Sequence, residues 1–285
     1  MDTKALIDML NRDLKEEHAA TLRYLIHSYT EGEDSPIGAG LLSRAREEMW
    51  HMHWLGMIIG HLGGEPDLAP AEYPYDPASR ASIFESYAEY EDKLVPHYNQ
   101  EADRVSDPHI RRVLQREAWE SAMHASKFRR LLGKLSPEEA DEMPGGEREL
   151  PEEFLSTLQR EVADKYTEML QHVRQAWVFQ GRGLRSWQLM DQSMEKMKQL
   201  AHFAEDVAEN GLEPDFAAGD YDTSADFPSA LRSSLRRLQR ARERHLELSA
   251  NEEAGKHGGF MINLDLTLKQ EEYQESEMAD WLKEE

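Results

Sequence analysis

Cysteine is absent from all 285 residues, so the chain can form no disulfide, present no thiolate nucleophile and hold no iron–sulfur cluster or zinc ribbon. Any bound metal must be held by histidine and carboxylate. Long apolar runs are also missing: no stretch approaches the roughly 18 residues that a membrane span needs. The opening segment MDTKALIDMLNRDLKEE is charged throughout, unlike a secretory leader. These two features predict a cytoplasmic protein without a membrane partner. Positive charge is scarce, with 33 Lys plus Arg against 56 Asp plus Glu and a formal charge of -23. Such a surface repels nucleic acid and anionic lipid and favours cations. No Gly-rich phosphate loop, GxSxG elbow or dinucleotide fingerprint occurs, and PGGERE follows no strand-like segment.

Glycine and proline gather in a few places, around residues 31–40, 63–78, 135–151, 211–228 and 255–259. Between them run long segments rich in Glu, Leu, Ala, Arg, Met and Gln, with apolar residues three and four apart, the helical period. In the first half this predicts helices over 2–30, 38–62, 79–104 and 108–134, each roughly 35–43 Å long. Four long helices with short connections make a bundle. Residues 135–151 carry Pro, Gly and acids with no apolar period and read as a linker.

The rest of the chain, 152–285, repeats the first part. A shift of 148 brings Leu10 and Arg12 onto Leu158 and Arg160, and Glu47 and Met49 onto Glu195 and Met197. It also brings Gly63, Glu65, Pro66, Asp67, Ala69 and Tyr73 onto Gly211, Glu213, Pro214, Asp215, Ala217 and Tyr221. The expectation is an all-α protein of two tandem four-helix bundles, domains 1–134 and 152–285, packed as a pseudo-dimer.

The apolar stripes of the first four helices carry acids where a core should be. Helix one presents Leu6, Leu10, Leu14, Glu17, Thr21 and Tyr24, and helix two Leu41, Ala45, Glu48, His51, Leu55, Ile58 and Leu62. Helix three presents Phe84, Tyr87, Glu91, Leu94 and Tyr98, and helix four Ile110, Val113, Glu117, Glu120, His124, Phe128 and Leu131. No Lys or Arg shares these stripes. Buried carboxylates without a cation cost several kcal/mol each, so their convergence at one depth asks for bound positive ions. Glu48 and His51, three residues apart, can offer an oxygen and a nitrogen to one ion. Glu91 is preferred to Glu89 on helix three because Tyr87, Leu94 and Tyr98 share its face.

The segment LKEEHAATLRYLIHS, with Glu17 seven residues before Tyr24, followed by EEMWHMH with Glu48 and His51, resembles bacterioferritin and the wider ferritin-like di-iron family across residues 2–134. The resemblance implies a pair of iron ions, or iron with manganese. Glu17 would be terminal on one metal, Glu48 bridging, His51 a ligand, Glu91 terminal on the second metal and Glu117 a second bridge. Helix four departs from the family pattern. Glu120 stands where the family has histidine, and His124 lies a turn further on, so either Glu120 ligates or a π-bulge brings His124 inward. Tyr24 would stand beside the pair as a redox-active side chain. Met49 occupies the family's haem-ligand position and Met197 its repeat equivalent, which makes haem clamped between them a further possibility. In the repeat, Glu17, Glu48, His51 and Glu91 become Lys165, Lys196, Gln199 and Gln239. After six extra residues near GKHGGF, Glu117 and Glu120 become Glu271 and Gln274. One metal centre per chain is therefore expected. The implied activity is reaction with O2 or peroxide, of ferroxidase or peroxidase type. Manganese-catalase-like chemistry and a non-catalytic iron-holding scaffold are the alternatives, and a homo-oligomer is possible.

Overall fold

The computed structural model describes residues 1–32, 34–142 and 148–285. Among them the chain is all-α, with nine α-helices, two short 3₁₀ turns and no strand. It divides into two compact units, Met1–Gly146 and Glu147–Glu285.

The first unit holds α1 (Thr3–Glu31), α2 (Pro36–His61), α3 (Arg80–Arg104) and α4 (Pro108–Leu132). Local chemistry starts each one. Asp2 accepts from the Ala5 N–H at the head of α1, Ser35 from Gly38 at α2, and Asp107 from His109 and Ile110 at α4. Ser79 and Ser82 form a reciprocal capping box on α3. Pro36 and Pro108 sit in first turns, where a missing N–H costs nothing. α1 packs along α2, and α3 along α4. One end of the interior is aromatic, with Tyr24, Tyr87 and Phe128 in mutual edge or tilted contact at 5.0–5.4 Å between ring centres.

The stretch expected to be a structureless linker is partly ordered. Ser136 and Glu139 cap a five-residue helix, α5 (Pro137–Asp141), and Arg80 holds it to α3 by donating to the Glu139 carbonyl at 2.5 Å. The same guanidinium pairs with Glu31 at 2.7 Å, so a local capping signal and one buried arginine order what apolar periodicity could not reveal. The remainder of that stretch from 143 to 147, including most of PGGERE, lies outside the described residues.

The second unit holds α6 (Glu152–Val178), α7 (Leu184–Glu209), α8 (Phe227–Ser249) and α9 (Gly258–Glu284). The extra residues near GKHGGF form a 3₁₀ turn, Ala254–Lys256, ahead of α9.

The internal repeat extends to individual hydrogen bonds. Gly63 and Gly211 both adopt positive φ, 76° and 73°, where the chain leaves α2 and α7, a conformation that favours glycine. Asn11 then donates to the Glu65 carbonyl at 3.0 Å and accepts from the Asp67 N–H at 2.8 Å. Gln159 does the same with Glu213 and Asp215, at 2.8 and 2.7 Å. Asp67 and Asp215 each accept from the N–H two residues on, both at 3.1 Å. Each amide therefore staples its long loop to the first helix of its unit. Replacing Asn11 or Gln159 by Ala should cost about 1–2 kcal/mol, two net hydrogen bonds each. Thermal melting should register this as a drop of a few degrees.

Candidate metal centre

Six side chains from four helices meet in the interior of the first unit. Glu17 (α1), Glu48 and His51 (α2), Glu91 (α3), Glu117 and His124 (α4) are all 0–1% exposed. Glu48 stands between the two histidines. Its Oε2 is 2.8 Å from His51 Nδ1 and its Oε1 is 2.7 Å from His124 Nδ1. Glu17 Oε2 approaches the same His51 nitrogen at 3.0 Å, and Glu91 Oε1 approaches His124 Nδ1 at 3.4 Å. Two ligand groups result, Glu17–Glu48–His51 and Glu48–Glu91–His124. In each, one donor atom per residue lies within 4.8 Å of the others, and Glu48 is common to both. The imidazoles lie near parallel, with ring centres 6.2 Å apart.

The outer atoms of these groups are tied down. His51 Nε2 meets Glu120 Oε2 at 2.7 Å, and His124 Nε2 meets Glu47 Oε2 at 2.5 Å. Glu120 and Glu47 are in turn held by Arg116 and Arg44, at 2.8 and 2.9 Å. A carboxylate on the far nitrogen fixes the ring's orientation and leaves Nδ1 facing inward. Tyr98 donates a short hydrogen bond to Glu17 Oε1, and Tyr24 donates to Glu91 Oε1 at 2.6 Å while meeting the Tyr73 hydroxyl at 3.0 Å.

α4 runs as an unbroken α-helix. His124 reaches Glu48 and Glu91 without a π-bulge, because seven residues from Glu117 are nearly two full turns. Glu120, between them, ends on His51 Nε2 rather than among the inward-facing atoms. Three residues before His124, where α2 has Glu48 before His51, α4 has Ser121, buried at 1%. Glu117 lies one turn earlier still. Met49 and Met197 are each half-buried, on α2 and α7 of their own units. Glu47 and Tyr98 were missed as supporting groups. Glu47 adjoins Glu48 and Tyr98 lies two turns beyond Glu91, but neither position announces a hydrogen bond.

The inner atoms are poorly satisfied by protein alone. Both oxygens of Glu117, Glu91 Oε2, Glu48 Oε1 and His124 Nδ1 are buried without a hydrogen-bond partner. The last two are close but not aligned for one. Burial raises the Glu117 carboxyl well above the usual carboxylate range, with Glu17 and Asp13 adding to the rise. Burial likewise pushes Glu17 up to about 7 against the pull of His51. Burial would lower both histidines. The Glu17 and Glu48 carboxylates instead hold His51 well above its ordinary value, and Glu48 and Glu47 take His124 up to about 12. Without an ion, the cluster relieves its negative charge by keeping protons. A donor set of buried carboxylate oxygens and imidazole nitrogens, several of them unpartnered, fits a divalent cation.

The second unit answers the same problem differently. Lys165 and Lys196, both 0% exposed, replace Glu17 and Glu48. Lys165 Nζ lies 3.0 Å from Glu168 and 2.5 Å from Glu271, and Lys196 Nζ lies 3.2 Å from Glu168. His245 bridges Glu271 and Glu161, at 3.0 Å each. Two ammoniums and an imidazolium balance three carboxylates. Lys165 and Lys196 hold Glu168 below the ordinary carboxylate range despite burial, and Lys165 and His245 hold Glu271 down to about 2. Glu168 also floors a cavity of about 310 Å³ lined by Arg236, Arg237, Arg240 and Arg244, which disfavours cation entry. Gln239, assigned by simple offset to the Glu91 position, is exposed and donates to Glu275. The buried positions of α8 follow those of α3 at a shift of 147, one less than that offset, so Leu238 takes the Glu91 place and His245 that of Tyr98.

Compared with models of known protein families and with curated proteins, the sequence matches none. The case for a metal centre therefore stands on the geometry of these residues.

Breaking the lysine cluster with Lys165→Met should strand two buried carboxylates and destabilise the protein by about 3–5 kcal/mol in denaturant unfolding. Glu117→Gln should change the stability of chelator-treated protein by less than about 1 kcal/mol, because the acid it replaces is already neutral there.

Proposed function

We propose that the first unit is a ferritin-like di-metal carboxylate centre that reacts with O2 or peroxide, of ferroxidase or peroxidase type. The observation that supports this reading most directly is the shared position of Glu48, which faces both histidines, with Glu17 on one side and Glu91 on the other. Four buried carboxylates, counting Glu117, match the charge of two divalent ions. Glu17 and His51 would hold one, Glu91 and His124 the other, and Glu48 both. Bound iron, or iron with manganese, would supply the electrons for reducing the oxidant.

The chain's own residues set the conditions. Glu120 and Glu47 keep the imidazoles aimed inward, and Tyr98 fixes the Glu17 carboxylate. Tyr24, hydrogen-bonded to Glu91 and fully buried, is placed to pass a proton or an electron between the centre and Tyr73. Burial excludes bulk water. With Glu120 engaged on His51, the fifth inner oxygen that would favour manganese over iron is not supplied, so the catalase-like alternative is the weaker one.

Elemental analysis after anaerobic loading should find two divalent ions per chain, and Glu48→Ala should bind neither. Adding O2 or peroxide to the ferrous protein should give an absorbance transient and oxidant consumption. Two bound ions with no consumption would leave a metal-holding scaffold in place of an enzyme. Tyr24→Phe should retain both ions while turnover falls by roughly 10²-fold, the usual scale for a lost proton donor.

Binding must displace protons held by Glu17, Glu117 and the two histidines, all of which have raised values. Apparent affinity should therefore rise with pH between about 5 and 8. Calorimetry in buffers of different ionisation enthalpy should show net proton release on loading. The same sign applies to stability: raised carboxyl and imidazole values stabilise the metal-free state at low pH and lose that contribution as pH rises. The gain in melting temperature on adding metal should accordingly widen towards pH 8.

A further inference from the structure

A second cluster lies beside the centre, in the same unit. Asp13 is one turn before Glu17 on α1 and 0% exposed, and Glu101 is 3% exposed on α3. His97, four residues before Glu101, has a side chain 41% exposed. His97 Nε2 is 2.9 Å from Asp13 Oδ1 and 3.6 Å from Glu101 Oε2. One donor atom from each residue lies within 4.8 Å of the other two. Ligands about 2.0–2.2 Å from a shared ion stand roughly 3–4 Å apart, so little movement is needed. Asp13 Oδ2 and Glu101 Oε2 are buried and have no hydrogen-bond partner. The Arg12 guanidinium stays 3.9 Å away from Glu101 on a largely exposed side chain. Two adjacent buried acids are thus left with one imidazole and a distant arginine, and burial with the Asp13 carboxyl pushes Glu101 up to about 8.

We propose that Asp13, His97 and Glu101 bind a divalent cation at an outer site and pass it to the buried centre. The O2N donor set suits ferrous, manganous or cobaltous ions, with water completing the shell. His97 gives this site the solvent access that the inner residues lack. The route inward is short. Asp13 and Glu17 face the same way one turn apart on α1, and Tyr98, the neighbour of His97, donates to Glu17. Glu117, with both oxygens unpartnered, lies within the electrostatic reach of both Asp13 and Glu17. It can take the ion between them. The delivery step rests on the di-metal reading above, whereas the outer site does not.

Crystals of the full chain soaked in cobaltous or manganous salt, with anomalous maps, test the site. Wild type should show a peak among Asp13, His97 and Glu101. Glu48→Ala should keep that peak while losing the inner ones, and Glu101→Gln should lose the outer peak alone. Stopped-flow absorbance on adding cobaltous ion should show the inner centre of His97→Ala filling at least tenfold more slowly to the same endpoint. His97 is half-exposed, so this variant keeps the test open if Glu101→Gln folds poorly. No outer peak in wild type, or unchanged filling in His97→Ala, overturns the proposal. An outer peak with no inner ones would instead overturn the di-metal reading and leave the outer site standing.

Discussion

The first unit is organised around the repulsion of carboxylates that its packing forces together. Glu17, Glu48, Glu91 and Glu117 sit on the inward faces of four different helices, and among the described residues no buried lysine or arginine pairs with them. These helices cannot turn the acids out without also exposing Leu10, Leu14, Leu55 and Tyr98. The acids are held inside by the apolar residues that flank them. Their charge must then be cancelled locally, by protons when no ion is present or by metal when one is.

The second unit, which repeats the first in sequence and in its loop hydrogen bonds, shows another solution. Two of the acids give way to Lys165 and Lys196, and Glu168, Glu271 and Glu161 close the balance with His245. An ammonium carried by the chain needs no ligand geometry. The lysine cluster carries its own cations, while the carboxylate and imidazole cluster leaves buried oxygens unpartnered. The hydrogen bonds around Asn11 and Gln159 are alike in both units although their interiors differ.

Much of this was readable in advance. The helical period located the four long helices of the first unit to within a few residues, and the inward acids were found because each interrupts an apolar stripe. Periodicity is silent about depth, however. Glu117, Glu120 and His124 all fall on one face of α4, and only the packing distinguishes a buried orphan, a partner of His51 and a neighbour of Glu48. Asp13 was hidden for a related reason: it sits one turn from Glu17 but among charged neighbours, and its partners His97 and Glu101 follow a proline on another helix. The ordered part of 135–151 shows no apolar period because its order comes from the Ser136–Glu139 capping box and from Arg80, which is distant in sequence.

What the sequence by itself determined is the set of faces: which residues point inward along each helix, and that the two halves repeat. Those follow from short-range periodicity and turn chemistry, which the backbone expresses without reference to other helices. The pairing of acids with particular histidines, the exclusion of Glu120 from the inner shell and the second cluster at Asp13 were decided by tertiary structure. They depend on the axial offset between neighbouring helices, which is set by side-chain interlocking along their whole length and is not encoded in any single segment.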